Sequence, residues 1–79
     1  RSDLRLEMAL ARSGSVSLDV FDPAGRHVRA LTRGLMPAGR TVVRWDGKLE
    51  GGRRAPSGIY FVKLRTDDGS LMKRVVLVR

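Results

Sequence analysis

The sequence lacks cysteine altogether, and it contains one histidine, one Trp, one Tyr and two Phe. Without cysteine the chain can form neither disulfide bonds nor thiolate metal sites. His27 has no second histidine to join it, which argues against a transition-metal site. No apolar run is longer than four residues. A membrane-spanning helix needs about 20 such residues, so no span is predicted.

The chain is short and strongly basic. Its 79 residues carry 16 Lys and Arg against 8 Asp and Glu, a net charge of +8. A chain of this length buries only about 60% of its unfolded surface, so we expect one small domain over residues 1–79. The charge raises the hypothesis of a polyanion-binding module. However, the cations are scattered, with only Arg53–Arg54 and Lys73–Arg74 adjacent, and nucleic acid is not the partner we expect.

Strictly alternating apolar residues predict short β-strands. The first two are LRLEMAL (4–10) and SVSLDVF (15–21), and the RSG turn between them favours a hairpin over residues 4–18. The segment TRGLMPAG (32–39) is predicted to be a connection, with Leu35 and Met36 reaching the edge of the core. Further strands are predicted over residues 26–31, 40–45, 58–66 and 70–79.

These strands and the absence of any helical period indicate the fold class. Short strands separated by frequent turns are typical of sandwiches. We therefore predict an all-β fold, a small Ig-like antiparallel β-sandwich of six to seven strands. Residues 58–66 begin with apolar side chains on both faces, which is typical of a central strand. The predicted core consists of Leu4, Leu6, Met8, Val16, Leu18, Val20, Val28, Val43, Trp45, Tyr60, Val62, Leu64, Val75 and Leu77.

The glycine-rich stretch WDGKLEGGRRAPSGIYF (45–61) is the first candidate for a ligand site. Asp46 and Glu50 are the calcium candidates, but Ca²⁺ takes six to eight oxygens and no further acid lies in this stretch. The glycine spacing does not match a phosphate-binding loop. We interpret the stretch as a crossing between two strands, in which Asp46 caps a turn that Gly47 permits. We expect no cofactor and no metal.

The chain is predicted not to be an enzyme. A Ser-His-Asp arrangement needs a nucleophile positioned in a pocket, and the serines fall in turns or on the exteriors of strands. His27 is expected on the outer face beside Val28. Trp45 and Tyr60 lie in phase with the core, so we expect them to be buried rather than available for stacking on bases.

The last two strands supply a candidate interaction surface. Their second face carries a stripe of apolar residues, which either contacts a partner or is covered by another sheet. Exposed edge strands offer a second route, since a partner strand can add to them. Arg5, Arg44 and Lys73 are cations of the kind that guard such edges. The candidate surface comprises Ile59, Phe61, Lys73, Arg74, Val76 and Val78.

Three motifs occur in order along the chain: VFDPAGRHVRAL (20–31), LMPAGRTVVRWDG (35–47) and PSGIYFVKLRTDDGSLMKRVVLVR (56–79). Together they are similar to the Ig-like domain of flagellar hook-capping proteins (FlgD-like). They resemble equally the C-terminal sorting domains of bacterial proteins exported by type IX secretion. The resemblance covers about residues 4–79. Its signature residues here are Asp22, Gly25, Gly39, Trp45, Asp46, Gly47, Gly58 and Tyr60.

The resemblance implies a non-enzymatic module at the C-terminus of a larger secreted or cell-surface bacterial protein. Such a module acts in sorting, anchoring or structural assembly, through contacts with parent-protein domains, with secretion or attachment machinery, or with copies of itself. One alternative is a self-assembling structural subunit or cap, and a second is the basic polyanion-binding module. One position departs from the family pattern, because Leu49 stands where an acid often follows the WDG motif.

Overall fold

The computed structural model of the chain describes residues 3–78, and these residues form six β-strands. Within that range no helix is long and apolar enough to cross a bilayer. The strands form two antiparallel sheets, which confirms the predicted all-β fold class. They are β1 (Leu4–Leu10), β2 (Gly14–Phe21), β3 (His27–Met36), β4 (Gly39–Trp45), β5 (Gly58–Thr66) and β6 (Gly69–Leu77).

The pairing of β1 corrects one prediction. β1 pairs with β4, so that Leu6 lies opposite Val43, whereas β2 belongs to the other sheet with the order β3-β2-β5-β6. The predicted hairpin over residues 4–18 is therefore wrong, and residues 11–13 carry the chain from one sheet to the other. Alternation shows which side chains point inward, but it does not show which strand supplies the hydrogen-bond partner.

The segment predicted to be a connection, residues 32–39, is mostly strand. β3 continues to Met36, and Leu35 lies opposite Ser15. A register shift leaves Leu31 without a directly opposed residue, since Leu18 faces Thr32 and Asp19 faces Ala30. Such a bulge hides the alternation on which the sequence pattern depends. Met36 packs against the core as expected, but Leu35 is 85% exposed.

The core lies between the two sheets and matches the predicted one closely. The predicted residues are either buried or packed against the buried cluster. Ala55, which follows no strand pattern, is also completely buried. The buried apolar residues are Met8, Val16, Leu18, Val20, Trp45, Ala55, Tyr60, Val62 and Leu77.

The turn between β2 and β3 is closed by the side chain of Asp22. The backbone N–H of Arg26 donates to Asp22 Oδ1 at 2.9 Å, and the N–H of Gly25 donates to the Asp22 carbonyl at 2.9 Å. The bond from the Arg26 backbone lowers the pKa of the Asp22 carboxyl. Gly25 has a φ of 89°, a conformation that costs other residues about 1–2 kcal/mol.

Candidate interaction surface

The glycine-rich loop between β4 and β5 folds back on itself as a small hairpin. The N–H of Ala55 donates to the Gly47 carbonyl at 2.8 Å, and the N–H of Leu49 donates to the Arg53 carbonyl at 2.7 Å. The N–H of Gly52 donates to the Leu49 carbonyl at 2.9 Å and closes the tip. This geometry places the Leu49 side chain against the core. The loop is thus an ordered structural element within the described part of the chain.

The same loop docks on the outer strand β3. The N–H of Glu50 donates to the Val28 carbonyl at 2.9 Å, and Glu50 Oε2 accepts from the N–H of Ala30 at 2.9 Å. These bonds satisfy backbone groups on the edge of β3 that no strand pairs. An unpaired edge is a template for association, so covering it removes one route for other chains to add.

The two calcium candidates serve this docking. Asp46 Oδ1 accepts from Arg29 Nη1 at 2.9 Å and from the N–H of Lys48 at 3.0 Å. Partial burial acts to raise the pKa of the Asp46 carboxyl, but the Lys48 N–H and the Arg29 guanidinium outweigh it, so the pKa is lowered. Glu50 is the partner of Ala30 described above. Between residues 3 and 78 no three acidic or histidine side chains cluster as a metal site would require.

The opposite edge of the four-stranded sheet, β6, is not covered in this way. β6 pairs with β5 along its length, and no strand within residues 3–78 pairs with its other side. Ile59 lies opposite Val76, and Phe61 lies opposite Arg74, so these four share the outer face, which is turned away from β1 and β4. Lys73 lies opposite the buried Val62 and therefore projects to the other face.

The sequence-predicted surface residues therefore lie on two neighbouring strands, β5 and the edge strand β6, and directly after β6, with Lys73 on the inner face and the others on the outer face. Exposed apolar side chains accompany them on both faces, and the sequence prediction missed two of these. Leu71 is 73% exposed on the inner side of β6, and Met72 is 59% exposed on the outer side. The sequence showed that these two residues lie in an alternating final strand. It did not show that the opposite sheet has only two strands, β1 and β4, among the described residues. Ile59, Val76 and Val78 are exposed by 42%, 53% and 70%, while Phe61 is half-buried.

The outer face is positively charged apart from one acid. Asp19 is nearly buried there, and its Oδ1 is held by His27 Nε2 and Arg33 Nη2, both at 2.8 Å. Lys63 and Arg65 also lie on this face, and the described residues offer them no ion pair. Sequence reasoning missed Asp19, because a lone acid in an alternating strand is usually solvated.

The two facing antiparallel sheets, the loop docked on β3 and the apolar and basic face beside β6 define the class of the domain, which is an Ig-like β-sandwich. A model of the FlgD Ig-like domain family matches residues 2–70, and the chain belongs to this family. No curated protein sequence matches the chain.

Two solved structures have the same fold. FlgD from P. aeruginosa is 30% identical with a TM-score of 0.75, and the match covers 95% of this chain and 57% of that one. FlgD from Xanthomonas campestris, described in connection with hook capping essential for flagellar assembly, is 22% identical with a TM-score of 0.71. That match covers 96% of this chain and 56% of the other. The chain therefore spans a little over half the length of these FlgD chains.

Membership of this family identifies a structural, non-enzymatic domain. The FlgD part of the sequence resemblance is thus the part that the comparisons support. They lend no support to type IX sorting, which stays a prediction.

Proposed function

We propose that this chain is the Ig-like module of an exported hook-capping protein and acts as a structural element of a cap assembly. The family match over residues 2–70 is the observation that carries the proposal. The agreement of nearly the whole chain with FlgD from P. aeruginosa supports it. Because those FlgD chains are longer, we take residues 1–79 to be one module of a larger protein that functions outside the cell or at its surface.

The surface chemistry supports a role in protein contacts. A structural domain that binds other proteins needs a closed core and exposed contact residues held in place by it. Trp45 and Val20 are completely buried, whereas Met72, Val76 and Val78 are largely exposed on one edge. Exposed apolar side chains that lie next to one another mark a contact surface for a partner.

A chimeric protein tests the proposal. The Ig-like part of FlgD in Xanthomonas campestris is replaced by residues 1–79, and flagellar filaments are counted by electron microscopy. We expect the chimera to assemble filaments. A chimera carrying Trp45→Ala, which removes a completely buried side chain from the core, should not. A chimera that is folded and exported but never supports filament assembly would overturn the proposal.

Sorting by type IX secretion is the competing hypothesis, and export of a passenger distinguishes it. Residues 1–79 are fused to the C-terminus of a reporter enzyme in a host with type IX secretion. The hook-cap proposal expects the reporter to stay inside the cells. Export that depends on residues 70–79 would instead favour the sorting function.

A further inference from the structure

The exposed apolar side chains are concentrated at one edge of the molecule. Seven large apolar residues are exposed among those described, and five of them belong to β5, β6 or the residue after β6. The opposite edge of the same sheet carries the docked loop, whose Glu50 bonds to the backbone of Val28 and Ala30. Within the four-stranded sheet the loop thus covers the β3 edge at Val28 and Ala30, whereas no strand among the described residues pairs with the outer side of β6. The five residues are Ile59, Leu71, Met72, Val76 and Val78.

Two adjacent cations occupy the middle of this open strand. Lys73 and Arg74 lie halfway along β6 (Gly69–Leu77), and because neighbouring side chains alternate, one projects to each face. Both are exposed, and neither forms an ion pair with any residue from 3 to 78. Apolar side chains flank them on both sides along the strand. The pattern along β6 is therefore apolar, cationic, apolar.

This pattern disfavours a second copy of the chain as the occupant. An antiparallel pairing of two β6 strands about their centres would place Lys73 and Arg74 opposite the same two residues of the other copy. Like charges directly opposite each other destabilise a strand pair. The net charge of +8 on each copy adds a long-range repulsion. Charge repulsion therefore disfavours pairing of β6 with the β6 strand of a second copy, although the backbone groups on the outer side of β6 are not paired with another strand among the described residues.

We propose that the β6 edge binds an extended segment of a separate partner protein, which adds to the sheet as a fifth strand. The segment carries two acidic residues at its centre, opposite Lys73 and Arg74, and apolar residues on either side. Backbone hydrogen bonds supply affinity and the alternating side chains supply selectivity. The inference rests on the proposed function, since it specifies the chemistry of a partner that a structural module would hold.

A peptide partner fits this edge better than a polyanion or a membrane. The unpaired backbone groups of an edge strand are matched by another peptide backbone, which neither a glycan nor a lipid headgroup provides. Along β6 itself the cations are confined to the strand centre, and the other cations of the outer face, Lys63 and Arg65, lie on the neighbouring strand β5 rather than along the open edge. The apolar residues to each side of the cations would remain uncovered by a purely ionic ligand.

Three synthetic nine-residue peptides test the proposal by titration calorimetry and by NMR on the labelled chain. All three have alternating Val and Thr arms, and their centres are Glu-Glu, Lys-Lys and Ser-Ser. We expect the Glu-Glu peptide to bind about two- to thirtyfold more tightly than the Ser-Ser peptide, and the Lys-Lys peptide to bind more weakly than either. Intermolecular backbone contacts should map to β6. Methylating alternate peptide nitrogens on the paired side should abolish binding, because the donors are removed.

A charge reversal supplies the decisive variant. The double variant Lys73→Glu, Arg74→Glu should bind the Glu-Glu peptide more weakly than the parent does and the Lys-Lys peptide more tightly. The matched control Arg53→Glu, Arg54→Glu changes the net charge equally at an exposed pair in the loop that docks on β3, and should keep the original preference. Tryptophan fluorescence of Trp45 and circular dichroism establish that both variants are folded.

Several outcomes would overturn the proposal. Equal losses in both double variants, or equal binding of heparin or anionic vesicles, would indicate a general electrostatic effect. Binding of none of the peptides, or dimerisation of the chain through β6, would also reject the stated occupant. Because these measurements use residues 1–79 alone, they are independent of filament assembly. A chimera that assembles filaments while no peptide binds would reject this inference and leave the proposed function intact.

Discussion

The rings of Trp45 and Tyr60 meet edge to face, with centroids 5.1 Å apart and planes inclined by 74°. They join the two sheets, since Trp45 ends β4 and Tyr60 lies in β5. Each ring also bonds to the glycine-rich loop. Trp45 Nε1 donates to the Lys48 carbonyl at 3.0 Å, and the Tyr60 hydroxyl donates to the Pro56 carbonyl at 2.6 Å. The aromatic pair therefore connects the loop to the core.

Removing the Tyr60 hydroxyl should have a modest and local effect. The variant Tyr60→Phe keeps the ring but loses the bond to Pro56, and we expect the free energy of unfolding to fall by about 0.5–1.5 kcal/mol. Trp45→Ala removes a completely buried indole, and we expect a loss of about 3–5 kcal/mol. Urea denaturation followed by circular dichroism measures both. If Tyr60→Phe cost as much as Trp45→Ala, the separate contributions of ring and hydroxyl assigned here would be wrong.

Gly25 should be required for its backbone conformation alone. A Cβ added there meets no atom within 4 Å, so only the φ of 89° opposes another residue. We expect Gly25→Ala to lower the free energy of unfolding by about 1–2 kcal/mol. Gly51 is the matched control, because its Cβ position is equally open and its φ is not positive. Thermal unfolding should show Gly51→Ala unchanged or slightly stabilised, and equal losses at both positions would contradict the argument.

Asp46 should make stability depend on pH in the acidic range. Its pKa is lowered in the folded protein by Lys48 and Arg29, so the ionised form is preferred on folding. The stabilisation is complete above the unfolded pKa of about 3.9 and is lost as the pH falls below it. Asp46→Asn should therefore be less stable than the parent at pH 7, with the difference shrinking toward pH 3. Denaturation curves at several pH values check this, and a difference independent of pH would contradict it.

Glu50 should protect the edge of β3. Glu50→Ala removes the acceptor for the Ala30 N–H, and we expect a loss of about 0.5–1.5 kcal/mol. Hydrogen exchange at the Ala30 N–H should accelerate. Exchange along β5 should accelerate only by the factor that corresponds to the fall in the free energy of unfolding. Glu50→Gln keeps an acceptor oxygen and should restore most of the protection. We expect added Ca²⁺ to leave the stability of the parent unchanged, and a stabilisation by Ca²⁺ would contradict this role for Glu50.

The inward-facing residues and the bounds of two strands could be read from the sequence. β1 and β5 begin and end where alternation and turn residues predicted, because these signals are local. The β3 strand was too short in the prediction, because the bulge at Leu31 and the glycine at Gly34 interrupt the pattern. Pairing with β2 supplies the hydrogen bonds that hold those residues extended, and no short window of sequence contains that information.

The candidate surface could be predicted from the sequence only in part. Alternation placed Ile59 and Val76 on one face, and it also required Lys73 and Arg74 to project in opposite directions. It did not show which of the two long edges would be covered. That outcome depends on Glu50 reaching Val28 and Ala30, which lie some 20 residues away along the chain.

By itself, the sequence determined the all-β class, the set of inward-facing side chains and the excess positive charge, since each depends on residue type and a period of two. Only the tertiary structure decided that β1 pairs with β4, that Ala55 and Asp19 are buried, and that β6 is an open edge of the four-stranded sheet. These features depend on contacts between distant segments. The free energy of such contacts comes from packing and backbone pairing that only the assembled sheets provide.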